Sequence, residues 1–109
     1  MSPARRVGID VGGTKCLGVV LDEAGDTVGE WWRPTPTRPD ELVDTLVALA
    51  LEMAPFDAIG VGVPGLVTRA GTLRAAPHLP DVSDLELGPL LSSRLGAEVY
   101  VDNDATCAT

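Results

Sequence analysis

The 109-residue sequence has few positive charges and no long apolar run. Its 8 lysine and arginine residues against 16 acidic residues give a net charge of −8. Binding to a nucleic-acid backbone requires clustered Lys and Arg, so this composition argues against a nucleic-acid partner. No apolar run approaches the ~20 residues that span a bilayer, and none follows the first arginines as in a signal peptide. We therefore expect no membrane partner and a cytoplasmic location.

The sequence also lacks the cysteine spacing of a metal centre or a disulfide framework. Cys16 and Cys107 are far apart, one in a predicted strand and one in a predicted helix, so we expect buried, reduced thiols. The single histidine, His78, lies in a proline-flanked loop, and we do not expect it to be catalytic. The apolar content of 45% is that of a folded domain rather than a disordered chain.

Near the start of the chain, an alternating apolar pattern, a glycine pair and a second apolar pattern predict two strands joined by a tight turn. Gly12 and Gly13 remove side-chain bulk from this turn, and their amides can converge on an anion. Thr14 adds a hydroxyl donor, Lys15 adds a positive charge, and Asp10 places a carboxylate where a metal-bound phosphate could be met. A hairpin in which the glycines only form the turn is the alternative interpretation.

Two well-known glycine motifs do not fit the sequence. The first turn has the glycine separation of a P-loop, but Thr14-Lys15 reverses the required order and a strand follows. Residues 60–65 have the spacing of a dinucleotide-binding turn, but the following segment is extended rather than helical. We instead predict a buried, parallel strand over residues 56–63 that reaches the active-site edge, with Gly65 presenting its backbone to a substrate.

The rest of the pattern predicts a mixed α/β domain. The first three strands are joined by short turns and should form an antiparallel meander, which parallel strands and helices then extend. The further elements that we predict are a third strand at 27–33, a helix at 39–53, a small hairpin at 66–75, a short helix starting at 88 and ending at 96, and a last strand at 97–101.

The tryptophan pair Trp31-Trp32 stands at the end of the predicted third strand, at the edge of the sheet. We expect the pair to cover the core. A stacking platform for a sugar is the alternative interpretation.

Four segments, in this order, resemble one protein family. Residues 10–15 look like the first phosphate motif of the actin-like sugar kinases, and residues 101–105 are similar to the Asn-Asp-Ala motif of the ROK family of bacterial sugar kinases and repressors. Residues 60–67 and 76–80 also match that family's order. The chain thus resembles the N-terminal part of a ROK-family glucokinase-like protein, which implies an α/β fold of the actin-like ATPase (ribonuclease H-like) class.

The resemblance implies an enzyme that phosphorylates a hexose, with glucose as the expected substrate and ATP and Mg²⁺ as cofactors. It assigns the phosphates to a turn of four residues and the Mg²⁺ shell to one acid, which would act through water. The four residues are Gly12, Gly13, Thr14 and Lys15, and the acid is Asp10.

The same resemblance assigns the sugar to the other end of the chain. Asn103 would hold sugar hydroxyls through its amide, and Gly65 would offer a backbone contact. Asp104 would be the general base that takes the proton from the hydroxyl as it attacks the γ-phosphate. A helix cap is the alternative interpretation of Asp104.

The resemblance also implies that residues 1–109 are the small N-terminal domain of a two-domain kinase whose C-terminal domain is absent from this chain. The adenosine pocket, any structural zinc site and the contacts of a homo-oligomer would lie in that absent part. We therefore expect the chain alone to be inactive.

Two other functions remain open. A sugar-sensing ROK regulator would carry a helix-turn-helix domain ahead of the glycine turn, whereas six residues precede Val7, so we expect the kinase. Another actin-like ATPase would share the turn but would not need the pair Asn103-Asp104.

Overall fold

The alternating apolar segments near the start of the chain form the predicted antiparallel meander. Strands β1 (Arg6–Val11), β2 (Lys15–Leu21) and β3 (Thr27–Pro34) follow one another through short turns. The computed structural model describes residues 6–69, 71–75 and 84–103.

Parallel strands extend this meander on its other side. The further elements are α1 (Pro39–Glu52), β4 (Ala58–Val63), β5 (Leu66–Val67), β6 (Leu73–Ala75), α2 (Leu87–Leu95) and β7 (Glu98–Asn103). The main sheet has the order β3-β2-β1-β4-β7, in which β4 runs parallel to both β1 and β7, while β5 and β6 form a separate hairpin. The predicted mixed sheet is confirmed. A dinucleotide-binding turn is followed by a helix, whereas β4 is followed by the strand β5. The structure therefore also excludes that interpretation of residues 60–65.

Helix α1 covers one face of the main sheet. It begins at Pro39, as a proline in the first turn allows, and the predicted helix is confirmed to within one residue. Its apolar stripe packs on alternate residues of the strands, which forms the core. The buried residues of the helix are Leu42, Val43, Leu46, Val47, Leu49 and Ala50, and those of the three central strands include Val7, Ile9, Val11, Val20, Ile59, Val61 and Val63.

Within the described ranges, no helix is long and apolar enough to cross a membrane.

The tryptophan prediction is only half right. Trp31 is partly buried and packs against the core, but the side chain of Trp32 is 59% exposed. Consecutive side chains of a strand point to opposite faces, so one member of the pair must face away from the α1 side. Trp31 therefore covers the core alone.

Cys16 on β2 is fully buried, as predicted, whereas Cys107 lies outside the described residues. The Cys16 Sγ lies 3.5 Å from the Thr35 hydroxyl oxygen. Burial raises the pKa of the Cys16 thiol above its ordinary value, and the charge of Asp10 raises it further. The thiol is therefore protonated at neutral pH.

We expect replacement of a buried α1 leucine to cost far more stability than replacement of an exposed one. Leu49 is fully buried, whereas Leu51 is 62% exposed on the same helix, so Leu51→Ala is a matched control. Leu49→Ala should lower the free energy of unfolding by about 2–5 kcal/mol, and Leu51→Ala should change it by no more than about 0.5 kcal/mol. Urea unfolding followed by circular dichroism measures both. Equal losses would contradict the orientation of the helix.

The buried thiol also predicts a dependence of stability on pH. The folded state keeps the Cys16 proton at pH values where the unfolded chain, with a thiol pKa of about 8.5, has lost it. The stability that the buried, protonated thiol contributes is therefore fully present below about pH 8.5. It is lost as the pH rises above that value, by at most about 1.4 kcal/mol per pH unit. Urea unfolding from pH 7 to 10 should show a steeper loss in the native sequence than in Cys16→Ala. Identical slopes would rule the effect out.

Candidate functional site

The predicted site residues gather at one edge of the main sheet. Because β1, β4 and β7 are parallel, their carboxyl ends meet there, which is where open α/β sheets bind ligands. Asp10 is the penultimate residue of β1, Gly65 follows β4 by two residues, and Asn103 ends β7. Asp104, the predicted base, lies outside the described residues, as do His78 and the rest of segment 76–80.

A hydrogen bond joins the two residues that were predicted to bind the sugar. The side-chain amide of Asn103 donates from Nδ2 to the Gly65 carbonyl oxygen at 2.7 Å, across 38 residues of sequence. Gly65 has a φ of 134°, a backbone conformation that side chains with a Cβ rarely adopt, so glycine is needed at this position. The bond fixes the Asn103 amide beside the loop that follows β4.

The glycine turn between β1 and β2 is closed by its own backbone. The Gly12 amide donates to the Lys15 carbonyl oxygen at 2.8 Å, and a Cβ at Gly12 would lie only 2.9 Å from that oxygen. Gly12 therefore shapes the turn, and its amide is engaged within it. The next three residues, Gly13, Thr14 and Lys15, are exposed, so a ligand in solvent can reach backbone, hydroxyl and ammonium groups of this segment. This donor set suits a phosphate group.

Asp10 lies on the sheet face opposite α1. It alternates with the buried Ile9 and Val11, is itself exposed, and pairs with Gly62 on β4. In the part of the chain that the structure describes, no three His, Cys, Asp or Glu side chains lie together as a metal site. A single carboxylate beside a turn that could hold a phosphate suits Mg²⁺, which keeps several waters and binds one or two carboxylates together with phosphate oxygens.

Asp10 and Asn103 lie at the same edge of the sheet but not on the same face. Asn103 follows Val99 and Val101 at the two-residue period of β7, and both valines pack against the core on the α1 side. Asp10 projects from the other face of the sheet. A ligand that reached both side chains would therefore have to bind across the edge of the sheet.

Thr35, directly after β3, contacts the glycine turn and was missed by sequence reasoning. Its hydroxyl donates to the Gly12 carbonyl oxygen at 2.8 Å, and its amide donates to the Thr14 carbonyl oxygen at 3.0 Å. No local motif marks such a residue. Only the register, in which Lys15 pairs with Pro34, places the next residue of the chain opposite Thr14.

Comparison with known proteins relates the chain to sugar kinases. The glucokinase of Streptomyces coelicolor is 37% identical over 107 residues, covering 94% of this chain and 33% of the relative. The N-acetyl-D-glucosamine kinase of Escherichia coli is 36% identical over 108 residues, covering 92% of this chain and 35% of the relative. The chain thus spans about a third of the length of the curated relatives it matches.

Solved structures of the same family share the fold. A ROK-family glucokinase from Streptomyces griseus, in complex with glucose and AMPPNP, aligns with a TM-score of 0.85 and 33% identity over 96% of this chain and 35% of that chain. A ROK-family transcriptional regulator, a homologue of the Escherichia coli MLC protein, aligns with a TM-score of 0.82 over 94% of this chain and 28% of its own. At 20% identity the regulator shows the fold alone. The ROK family model matches residues 6–109, and this chain, with its actin-like ATPase fold, belongs to the ROK family.

Proposed function

We propose that this chain is the N-terminal domain of a two-domain sugar kinase, and that the intact protein transfers the γ-phosphoryl group of ATP to a hexose, with glucose as the expected substrate. The main support is the Asn103–Gly65 hydrogen bond at the carboxyl edge of the sheet. It joins two residues that are distant in sequence and that the family resemblance assigns to the sugar. The glucose and AMPPNP complex of a relative supports the two ligand classes. Use of ATP makes the cytoplasm the expected location.

The phosphates would be held at the exposed side of the glycine turn. Gly13 and Thr14 would donate hydrogen bonds to phosphate oxygens, and Lys15 would contribute its charge. Asp10 would hold Mg²⁺ through water at the same end of the sheet. The metal would spread the negative charge that develops on the phosphoryl oxygens.

The sugar would be held at the ends of β4 and β7. Asn103 would orient the sugar through its amide, and the backbone at Gly65 would supply a further contact. Asp104 would hydrogen-bond the attacking hydroxyl and accept its proton as the oxygen bonds to the γ-phosphorus. Since an ordinary aspartate, with a pKa of ~3.9, is ionised at neutral pH, the base needs no special activation.

The proposed reaction needs a second domain. Phosphoryl transfer depends on positioning and on electrostatic stabilisation from groups around both substrates. The described residues supply one phosphate turn and one sugar contact at a single sheet edge. The relatives are about three times as long as this chain, which supports placing the adenosine pocket and the remaining sugar contacts in a C-terminal domain.

A sugar-sensing regulator is the second candidate, because a ROK regulator shares the fold. Phosphorylation separates the two candidates. We expect the intact protein to phosphorylate at least one sugar in a panel of glucose, mannose and N-acetylated hexosamines with Mg²⁺ and either ATP or polyphosphate. The phosphorylated sugar can be measured by mass spectrometry. Calorimetric binding of a sugar without turnover would favour the regulator and contradict the kinase.

We also expect substitutions at the neighbouring residues Asn103 and Asp104 to act on different kinetic constants. Asp104→Asn keeps the shape but removes the base, so kcat should fall by roughly 10²–10⁴-fold with little change in the KM for the sugar. Asn103→Leu keeps the size but removes the amide, so the KM for the sugar should rise by roughly tenfold or more. Steady-state kinetics of the intact protein measure both. Near-normal turnover of Asp104→Asn would refute its role as the base.

A further inference from the structure

The clearest structural feature without an assigned role is the contact between Thr35 and the glycine turn. Two of the turn's carbonyls, those of Gly12 and Thr14, accept hydrogen bonds from this one residue. Thr35 is separated by 23 residues from Gly12, and it reaches the turn only because β3 pairs with β2. The contact is therefore a product of the fold rather than of the turn's own sequence.

The bond from the Thr35 hydroxyl to the Gly12 carbonyl determines where the next amide, that of Gly13, points. In a trans peptide, the carbonyl and the following N–H lie on opposite sides of the chain. Since the Gly12 carbonyl points at the Thr35 hydroxyl, the N–H of Gly13 in the same peptide group points away from Thr35. Gly13 is exposed, so a phosphate on the side of the turn away from Thr35 could accept a hydrogen bond from this N–H.

A buried thiol holds the Thr35 hydroxyl in this orientation. Thr35 has one hydroxyl hydrogen, which goes to the Gly12 carbonyl, so the thiol hydrogen of Cys16 is left to donate to Thr35 Oγ1 across 3.5 Å. The resulting order is Cys16 thiol, Thr35 hydroxyl, Gly12 carbonyl. Cys16 is fully buried on β2, which anchors one end of this chain of hydrogen bonds in the core.

We propose that Thr35 is a positioning residue for the phosphate-binding turn, which it holds so that the Gly13 amide faces the nucleotide phosphates. This inference rests on the proposed function in that it takes a nucleotide as the ligand. It predicts a selective effect, since the bonds of Thr35 go to the phosphate turn, whereas the Asn103–Gly65 bond lies at the ends of other strands. Loss of the hydroxyl should weaken nucleotide binding and spare the sugar.

The test is Thr35→Val in the intact protein, which keeps the side-chain shape and removes the hydroxyl. The dissociation constant of AMPPNP with Mg²⁺, measured by calorimetry, should rise about five- to tenfold, as expected for one lost hydrogen bond. The KM for the sugar should stay within about twofold of its native value. Thr35→Ser, which restores the hydroxyl, should bind AMPPNP like the native protein. Thr37→Val, the same change at an exposed threonine two residues along, is the control.

Native AMPPNP affinity in Thr35→Val, or equal weakening in Thr35→Ser, would overturn the proposal. If Thr35→Val does not fold, the pair Thr35→Ser and Thr35→Ala isolates the hydroxyl, because neither variant carries the threonine methyl group. Absence of AMPPNP binding in the native protein would overturn the proposal too. Selective weakening in a protein that phosphorylates no sugar would support the role of Thr35 and refute the kinase instead.

Discussion

The candidate site depends on the pairing of β1 along both of its edges. On one edge β1 pairs antiparallel with β2, and the connection between them is the glycine turn. On the other edge it pairs parallel with β4, which pairs parallel with β7. The antiparallel pair places the turn at the carboxyl end of β1, and the parallel pairs bring Gly65 and Asn103 to the same end. One strand thus sets the distance between the proposed phosphate and sugar contacts.

The proposed sugar residues and the glycine turn are held in place by different hydrogen-bond partners. The Asn103 amide is attached to the loop after β4 through its hydrogen bond to the Gly65 carbonyl oxygen. The glycine turn is held by a backbone bond of its own and by Thr35, whose hydroxyl also contacts the buried Cys16. A buried partner restricts motion more than an exposed one, because its own position is fixed by close packing. The contact with Thr35 and Cys16 therefore ties the glycine turn to the packed core.

Local sequence patterns were enough to predict the main elements of the fold. The first strands followed from alternating or β-branched apolar residues, helix α1 from helically spaced apolar residues between two prolines, and β4 from a near-continuous apolar run. The site residues needed the family resemblance. Trp32 was misplaced because a residue pair was treated as a unit, although strand geometry separates its members.

Thr35 shows the limit of prediction from sequence. Its contacts arise from the register between β2 and β3, and periodicity does not fix register at a polar turn. The opposite orientations of Asp10 and Asn103 could have been derived, since both follow from alternation along strands. To derive these orientations, one must know which residues of each strand face α1. The apolar positions of each strand supply that knowledge.

The charge of the domain constrains how it could hold a nucleotide. A net charge of −8 repels phosphate at long range, and Lys15 is the single lysine of the chain. At physiological ionic strength, charges beyond ~8 Å are largely screened, so local donors matter more than the net charge. A phosphate at the turn would meet exposed donors of Gly13, Thr14 and Lys15 within one short segment. Binding would then depend on the orientation of these groups, which is the property that a fixed turn supplies.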